Sequence, residues 1–336
     1  MTRGCIVKQE ASLTEHGQKC LKCSKKAVIT LPYGPQYFCS NHFVELTEKR
    51  VRKTVNKNKL INYGEKVAIG VSGGKDSIVA LHILHKLFFK QNSFHAILID
   101  EGIKGYRDKA VKIGVKNCKK LGVEFSVLKF KKEFKTDVDT IMQILNQNPK
   151  LGTSCSFCGV FRRRLLNKGA LNAQADKLVT GHNLDDETQS ILMNIFDGDF
   201  NRFARLGPIA GIVKIKEFVP RIKPLYEIPE KEIVAYASFK KLEHYSDECC
   251  PYSYQAKRNE FREMLNGFEK KYPGTKHSII RFFLNSKKFI DFSKLKKESS
   301  EKLEFCKKCN SLKSGKICNV CLKLDSIKDF SVTKKT

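Results

Sequence analysis

The amino-acid sequence predicts an α/β protein built on a doubly wound parallel sheet, with a small zinc-binding module at each end. Three observations lead there. Short β-branched or aliphatic runs alternate with helical stretches through the middle of the chain, the pattern of βαβ units. One of these runs, Val67-Ala68-Ile69-Gly70-Val71, stops at Gly73-Gly74 and resumes as a helical apolar periodicity through Ile78, Val79, Leu81 and Ile83. Metal-ligand pairs with C-x-x-C or C-x-x-H spacing bracket this region on both sides.

Taken in order, the chain first presents Cys20-x-x-Cys23 and Cys39-x-x-His42, separated by a turn-rich stretch with Pro32, Gly34 and Pro35. Two chelating knuckles of this kind make a closed, tetrahedral structural zinc site, without which so short a segment could hardly fold. From about Phe43 to Lys59 the pattern is charged and helical and carries Lys49, Arg50, Arg52 and Lys53. It reads as a basic connector.

The strand-to-helix step that follows is a phosphate site. Glycines let backbone N–H groups approach an anion, the helix N-terminus adds partial positive charge, and Lys75 with the Ser72 and Ser77 hydroxyls supplies further donors. Asp76 repels bare phosphate, but can hold a metal or orient a donor. The spacing is neither that of the common nucleoside-triphosphate loop nor that of the dinucleotide G-x-G-x-x-G.

Further strands are expected at 95–100, 124–130 and 177–181, with a helix from about Tyr106 to Leu121. Ligands in such sheets bind at the carboxyl ends of the strands. Three polar segments lie there: the Gly73-Gly74 loop, Asp100-Glu101-Gly102, and the run from Thr180 to Gln189. In the last, Asp185 and Asp186 can hold Mg²⁺ against phosphates, whereas Asn183 and Asp185 can also serve as helix caps.

Between the third and fourth strands, Cys155 and Cys158 precede Arg162, Arg163 and Arg164 at the start of a helix. Arginine gains nothing from the dipole at that end, so phosphate is the better partner. About ninety residues on comes Asp247-Glu248-Cys249-Cys250-Pro251-Tyr252-Ser253. Three thiolates, two from the helix and one from this segment, can hold three irons of a 4Fe-4S cluster and leave the fourth open. They can equally carry persulfide, or bind zinc with the neighbouring cysteine. A lysine-rich linker from about Asn285 to Lys302 leads to Cys306-x-x-Cys309 and Cys318-x-x-Cys321, a zinc-ribbon spacing. Lys307, Lys308, Lys313, Lys316 and Lys323 around it suit RNA backbone contacts or form a solvated face, and the last dozen residues read as a disordered tail.

Charge narrows the partner. Lys plus Arg number 63 against 35 for Asp plus Glu in 336 residues, a formal net charge of +28. That points to a polyanion, with nucleic acid first and an anionic membrane surface second. The 13 cysteines, mostly in C-x-x-C pairs, suit metal ligation in a reducing, intracellular compartment better than a disulfide framework. Neither a signal-peptide core nor an uncharged apolar run of ~18 residues is present, so the expectation is a protein neither exported nor membrane-spanning.

Jointly, the N-terminal Cys20, Cys23, Cys39, His42 set, the Ser72 to Ser77 loop, Ile99-Asp100-Glu101-Gly102-Ile103, Cys155-x-x-Cys158, Gly181-His182-Asn183-Leu184-Asp185-Asp186, Cys250-Pro251-Tyr252-Ser253 and the C-terminal Cys₄ set resemble one family. It is the tRNA 2-thiolation proteins of archaeal and eukaryotic cytoplasmic type, within the PP-loop ATP pyrophosphatases. The thermophile enzymes that thiolate the T-loop uridine are close relatives.

The resemblance implies that Ser72, Gly73, Gly74, Lys75, Asp76 and Ser77 meet the ATP phosphates, with Asp100 near the adenosine and Arg162 and Gly181 on the nucleotide. It makes Asp186 the catalytic or magnesium carboxylate, and gives Cys155, Cys158 and Cys250 the cluster. Lys75, Asp186 and these three cysteines form the implied catalytic set. Cys249 precedes the expected cysteine, and the C-P-Y-S pattern aligns on Cys250. The implied cofactors are ATP, Mg²⁺, two structural Zn²⁺ and one 4Fe-4S cluster. The implied partners are tRNA, a thiocarboxylated ubiquitin-like sulfur carrier, and a second copy or heteromeric subunit, in the cytoplasm and without a membrane. The implied reaction adenylates the C2 oxygen of a tRNA uridine, the wobble position preferred over the T-loop, and replaces it with sulfur. On this reading residues 1–58 are a zinc finger and connector, 59–290 the catalytic domain, and 291–336 the linker, ribbon and tail. Amidating or lysidine-forming relatives need no three-cysteine set. A non-catalytic zinc-finger RNA-binding protein is the alternative from another class, and would tolerate loss of Lys75 and Asp186.

Overall fold

A computed structural model of the chain describes residues 17–210, 215–246, 250–291, 293, 303–314 and 317–332. Asp247, Glu248, Cys249, Phe292, Lys316, most of the lysine-rich linker, the extreme N-terminus and the end of the tail lie outside the described residues.

The N-terminal module is an antiparallel hairpin, β1 (Ile29–Leu31) and β2 (Gln36–Phe38), leading into α1 (Ser40–Lys57). α1 is more than the basic connector the charge pattern suggested. It buries Phe43, Val44, Thr47, Val51, Thr54 and Val55, which recur on one face at helical spacing. Its Arg50 is tied inward: Nη1 donates to Glu232 Oε2 at 2.5 Å and to Tyr33 Oη at 2.8 Å, and Nη2 donates to the Glu227 carbonyl at 2.8 Å.

The central sheet runs through β3 (Lys66–Gly70), α2 (Lys75–Phe88), β4 (Ser93–Asp100), α3 (Arg107–Leu121) and β5 (Glu124–Lys129). After α4 (Phe130–Phe134), α5 (Val138–Gln147) and α6 (Ser154–Asn172) it continues with β6 (Lys177–Val179), α7 (Leu184–Phe196), α8 (Phe200–Ala204), β7 (Ile209–Ala210), β8 (Arg221–Ile222) and α9 (Glu230–Phe239). Among the described residues the sheet has six strands in the order β5-β4-β3-β6-β8-β7, parallel except for β7 at the edge. The expected parallel α/β sheet is present. β7 and β8 were not expected, because two residues are too short to show a period.

Both faces of β3 are covered, as a parallel sheet requires. Val67 and Ile69 pack with α1, α2 and α9 residues, while Ala68 between them joins the core of Phe157, Phe161 and Leu165 from α6. The chain leaves β3 toward β4 and β5 on one side and returns to β6 on the other. The crevice between β3 and β6 is therefore the switch point at which such sheets bind ligands.

Two helices, α10 (Arg258–Lys271) and α11 (Thr275–Ser286), pack on α7. The C-terminal module, β9 (Leu303–Phe305), β10 (Leu312–Ser314) and α12 (Asn319–Val332), docks on α5 and α6 through Ile327, which is buried in the α6 core. No helix among the described residues is long and apolar enough to cross a membrane.

Candidate active site

The outer modules assemble the ligand sets expected of them. Cys20, Cys23, Cys39 and His42 bring their donor atoms within 4.8 Å of one another, as do Cys306, Cys309, Cys318 and Cys321. Four soft donors around one point fit a structural zinc in each. In the first set, His42 Nδ1 lies 3.3 Å from Cys20 Sγ and 3.4 Å from Cys39 Sγ. Among the described residues these are the two groups of three or more ligands drawn to an ion-sized point.

At the switch point the Ser72–Ser77 loop closes on itself. Ser77 Oγ accepts from the Ser72 N–H at 3.0 Å and donates to the Gly74 carbonyl at 3.0 Å, so the hydroxyl pins both ends of the turn. Gly73 is required sterically. Its φ is +85°, and a Cβ there would lie 2.0 Å from the Ala110 carbonyl oxygen of α3. Gly181, placed on the nucleotide by the resemblance, also has a packing reason: a Cβ would come within 3.0 Å of the Ser77 nitrogen in the first turn of α2.

Lys75, at the start of α2, donates to Glu230 Oε1 at 2.6 Å and lies 3.3 Å from Asp76 Oδ2. Burial opposes its charge, but Asp76 and Glu230 outweigh that and hold the ammonium above its ordinary pKa. Asp76 Oδ1 accepts from Asn183 Nδ2 at 2.9 Å, which links the phosphate loop to the β6–α7 turn. Burial pushes the Asp76 carboxyl up, and the Asp186 and Glu230 charges add to it against Lys75.

In that turn Asn183, not Asp185, caps α7. Asn183 Oδ1 accepts from the Asp186 N–H at 3.0 Å and Asp186 Oδ2 accepts from the Asn183 N–H at 3.2 Å, a reciprocal capping box. Asp186 keeps its other oxygen toward Arg258 Nη1 at 3.3 Å, and burial raises its pKa despite that cation. Asp185 is corrected as a magnesium candidate. It is 5% exposed, one oxygen takes the Lys276 ammonium and the other accepts the Glu230 N–H at 2.8 Å. Asp100 is engaged locally, accepting the Gly102 N–H at 3.0 Å.

The cysteine segment stands beside this loop. Cys155 and Cys158 sit in the first turn of α6, and the Cys250 segment folds against them, with Cys155 Sγ 3.8 Å from the Tyr252 carbonyl oxygen. Burial pushes the Cys158 thiol up to about 11, with the Cys155 and Cys250 sulfurs adding to it against Arg162. Cys250 is raised chiefly by burial too. An all-thiol set of this kind has the donor chemistry that holds an iron-sulfur cluster.

Arg162, expected on the nucleotide, donates Nε to Glu101 Oε1 at 2.8 Å and Nη2 to Cys158 Sγ at 3.4 Å. His182 Nδ1 lies 2.9 Å from Thr180 Oγ1. The residue itself is exposed to solvent. A cavity of about 290 Å³ joins the parts: Ser72 and Gly74 of the loop, Cys250, Tyr245 and Arg258 all line it. Sequence reading did not single out Arg258, Glu230 or Tyr245. Tyr245 docks its segment on the loop by donating its N–H to the Gly73 carbonyl at 2.9 Å.

A glycine-paired strand-to-helix phosphate loop at the switch point of a parallel sheet defines a PP-loop protein, and the family profile of the PP-loop domain matches residues 44–268. Relatives narrow this. The tRNA 2-thiolation protein NcsA of Haloferax volcanii is 36% identical over 322 residues, covering 92% of this chain and 99% of the relative. The tRNA-5-methyluridine(54) 2-sulfurtransferase of Pyrococcus horikoshii is 36% identical over 303 residues, covering 90% and 92%. The solved structure of the U34-tRNA thiolase NcsA from Methanococcus maripaludis with its 4Fe-4S cluster matches with a TM-score of 0.77 at 34% identity, over 92% of this chain and 96% of that one. This chain belongs to the PP-loop family of tRNA 2-thiolation proteins.

Proposed function

We propose that the protein is a tRNA sulfurtransferase that uses ATP to convert a tRNA uridine, preferentially the wobble uridine, to 2-thiouridine. The observation that carries this reading is the shared cavity, in which Ser72 and Gly74 of the phosphate loop face Cys250 of the cysteine triad. Activation and sulfur delivery then occur in one chamber.

The uridine C2 oxygen is a poor leaving group. Its attack on the α-phosphorus of ATP, with loss of pyrophosphate, turns it into a phosphate ester. Lys75, the loop N–H groups and the α2 N-terminus would stabilise charge building on the phosphates, which is positioning and electrostatic work. Asp76 and Asp186, two crowded carboxylates whose pKa values are already raised, would hold Mg²⁺ there, with Asp100 toward the adenosine. A 4Fe-4S cluster on Cys155, Cys158 and Cys250 would supply the iron at which incoming sulfide is held. Sulfur attack at C2 then expels AMP. Arg162 and Gly181 border the nucleotide in this scheme. Cys250, on which the C-P-Y-S pattern aligns, is taken as the third ligand; it lines the cavity, and Cys249 lies outside the described residues.

The reading extends to a cytoplasmic enzyme fed by a thiocarboxylated ubiquitin-like carrier and acting as a dimer. It assigns 1–58, 59–290 and 291–336 to finger and connector, catalytic domain, and ribbon with tail. The test is anaerobic incubation of reconstituted protein with tRNA, ATP, Mg²⁺ and sulfide, followed by nucleoside mass spectrometry and fragment mapping. 2-Thiouridine that forms only with ATP is the expected result, and mapping to the T-loop would shift the target. No ATP cleavage and no thiolation with iron and zinc fully loaded would sink the enzyme reading in favour of a non-catalytic RNA-binding protein.

A further inference from the structure

Glu101 lies at the carboxyl end of β4 and is 1% exposed, so its charge has almost no water. A buried carboxylate persists only when opposite charge and donors replace that water. Here two arginines do so. Arg162 Nε donates to Oε1 at 2.8 Å, and the Arg107 guanidinium lies against Oε2 as an ion pair without a hydrogen bond to that oxygen. Each arginine has a second engagement. Arg107 donates Nε to the Ile99 carbonyl and Nη1 to the Ser72 carbonyl, both at 2.7 Å, which fixes the first residue of the phosphate loop. Arg162 donates Nη2 to Cys158 Sγ at 3.4 Å.

We propose that Glu101 is a positioning residue whose two carboxylate oxygens hold Arg107 on the phosphate loop and Arg162 on Cys158, so that one buried side chain sets the nucleotide and sulfur sites in register. The inference rests on the reading of the three cysteines as cluster ligands. A guanidinium N–H aimed at a ligating sulfur is one of the protein's means of tuning a cluster's potential. Arg162 is held at two points of a planar fork, a geometry lysine cannot reproduce. The arrangement also explains why β4 ends in Asp100-Glu101-Gly102: Gly102 has φ +71°, and a Cβ there would lie 2.5 Å from Asp137 Cβ, so the chain turns sharply just where Glu101 must point inward.

The decisive variants are Glu101→Asp, which keeps the charge but draws it back by one methylene, and Arg162→Gln, alone and combined. Full-length protein with both zinc sites filled is reconstituted anaerobically. The readouts are the cluster reduction potential from EPR-monitored titration and the affinity for ATP by equilibrium dialysis. Glu101→Asp is expected to weaken ATP binding about tenfold or more and to shift the potential in the negative direction, as Arg162→Gln does. The double variant should have the potential of Arg162→Gln alone, because Glu101 acts on the sulfur centre through Arg162. Wild-type potential in Glu101→Asp, additive shifts in the double variant, or unchanged ATP affinity would each overturn the proposal. Should Glu101→Asp fail to fold, Arg162→Gln and Arg107→Gln replace it. The first must move the potential, and the second must weaken ATP binding at unchanged potential; any other pattern counts against the relay. A wild type that assembles no cluster overturns the reading of the cysteines and the sulfur half of this inference, while the ATP half still stands or falls on its own measurement.

Discussion

Asp186 carries two duties that pull against each other. As the third residue of α7 it completes the capping box, and as a half-buried carboxylate facing Arg258 it bears a charge that partial burial and nearby acids disfavour. Its folded pKa lies above the ordinary carboxylate value. Stability tied to the protonated form is therefore present at low pH and lost as pH rises through that folded pKa. On the proposed reading the ionised form at pH 7.5 serves the ligands at some cost to the fold. Asparagine keeps an acceptor for the Asn183 N–H without the charge. Asp186→Asn is expected to melt no lower than wild type at pH 7.5 by scanning calorimetry, with any advantage shrinking as pH falls toward the ordinary carboxylate range. Pyrophosphate release should drop by roughly 10²–10³-fold, the scale for losing one electrostatic group at a reacting phosphate. A variant that melts lower yet turns over normally would remove Asp186 from the chemistry. The phosphate loop was legible in the sequence because six consecutive residues act within one turn. The ion pairs of this site were not, since Arg162 meets Glu101 across 61 residues and Arg258 meets Asp186 across 72, and local sequence carries no trace of such pairings.

At the scale of elements, what the sequence displayed was periodicity, and what it concealed was docking. β3, β4, β5 and β6 fall where aliphatic runs place them. α1 was masked by Lys49, Arg52 and Lys53 on its outer face, although Val51 and Val55 on the inner face are fully buried. The C-terminal ribbon was legible from cysteine spacing alone, yet nothing in that spacing says where it sits. In the structure α12 lies on α6, the helix that carries Cys155 and Cys158, with Ile327 4% exposed and Lys323 Nζ 3.9 Å from the centroid of the Phe157 ring. The ribbon thus buttresses the cysteine helix. Ile327→Ala should cost about 2–4 kcal/mol, the usual range for truncating a buried aliphatic side chain. Denaturant unfolding checks the cost, and hydrogen exchange checks its location, which should spread to α6 while zinc content stays at wild-type level. Exchange confined to α12 would mean that the ribbon is a separate module.

For the molecule as a whole, the net charge of +28 gains meaning from where the acids are. Glu101, Asp185, Glu187 and Glu232 are all buried, and each is paired with Arg or Lys. Several of these partners, Arg107, Lys223 and Lys276, are buried with them, so the pairs cancel inside. The excess cation is left to the surface. A tRNA held by that surface releases condensed counterions in proportion to the phosphates neutralised, so its affinity falls linearly on a log scale with salt. With six to ten phosphates engaged, the loss between 50 and 200 mM salt is about 10³–10⁵-fold. On the proposed reading Lys75 and backbone donors hold ATP in the crevice, and a partly buried contact of that kind is screened less. Binding titrations over this salt range should therefore show tRNA affinity collapsing while ATP affinity changes by less than about tenfold. A shallow slope for tRNA would place recognition in a few base contacts rather than in the basic surface. It would also remove the reason for so lopsided a composition.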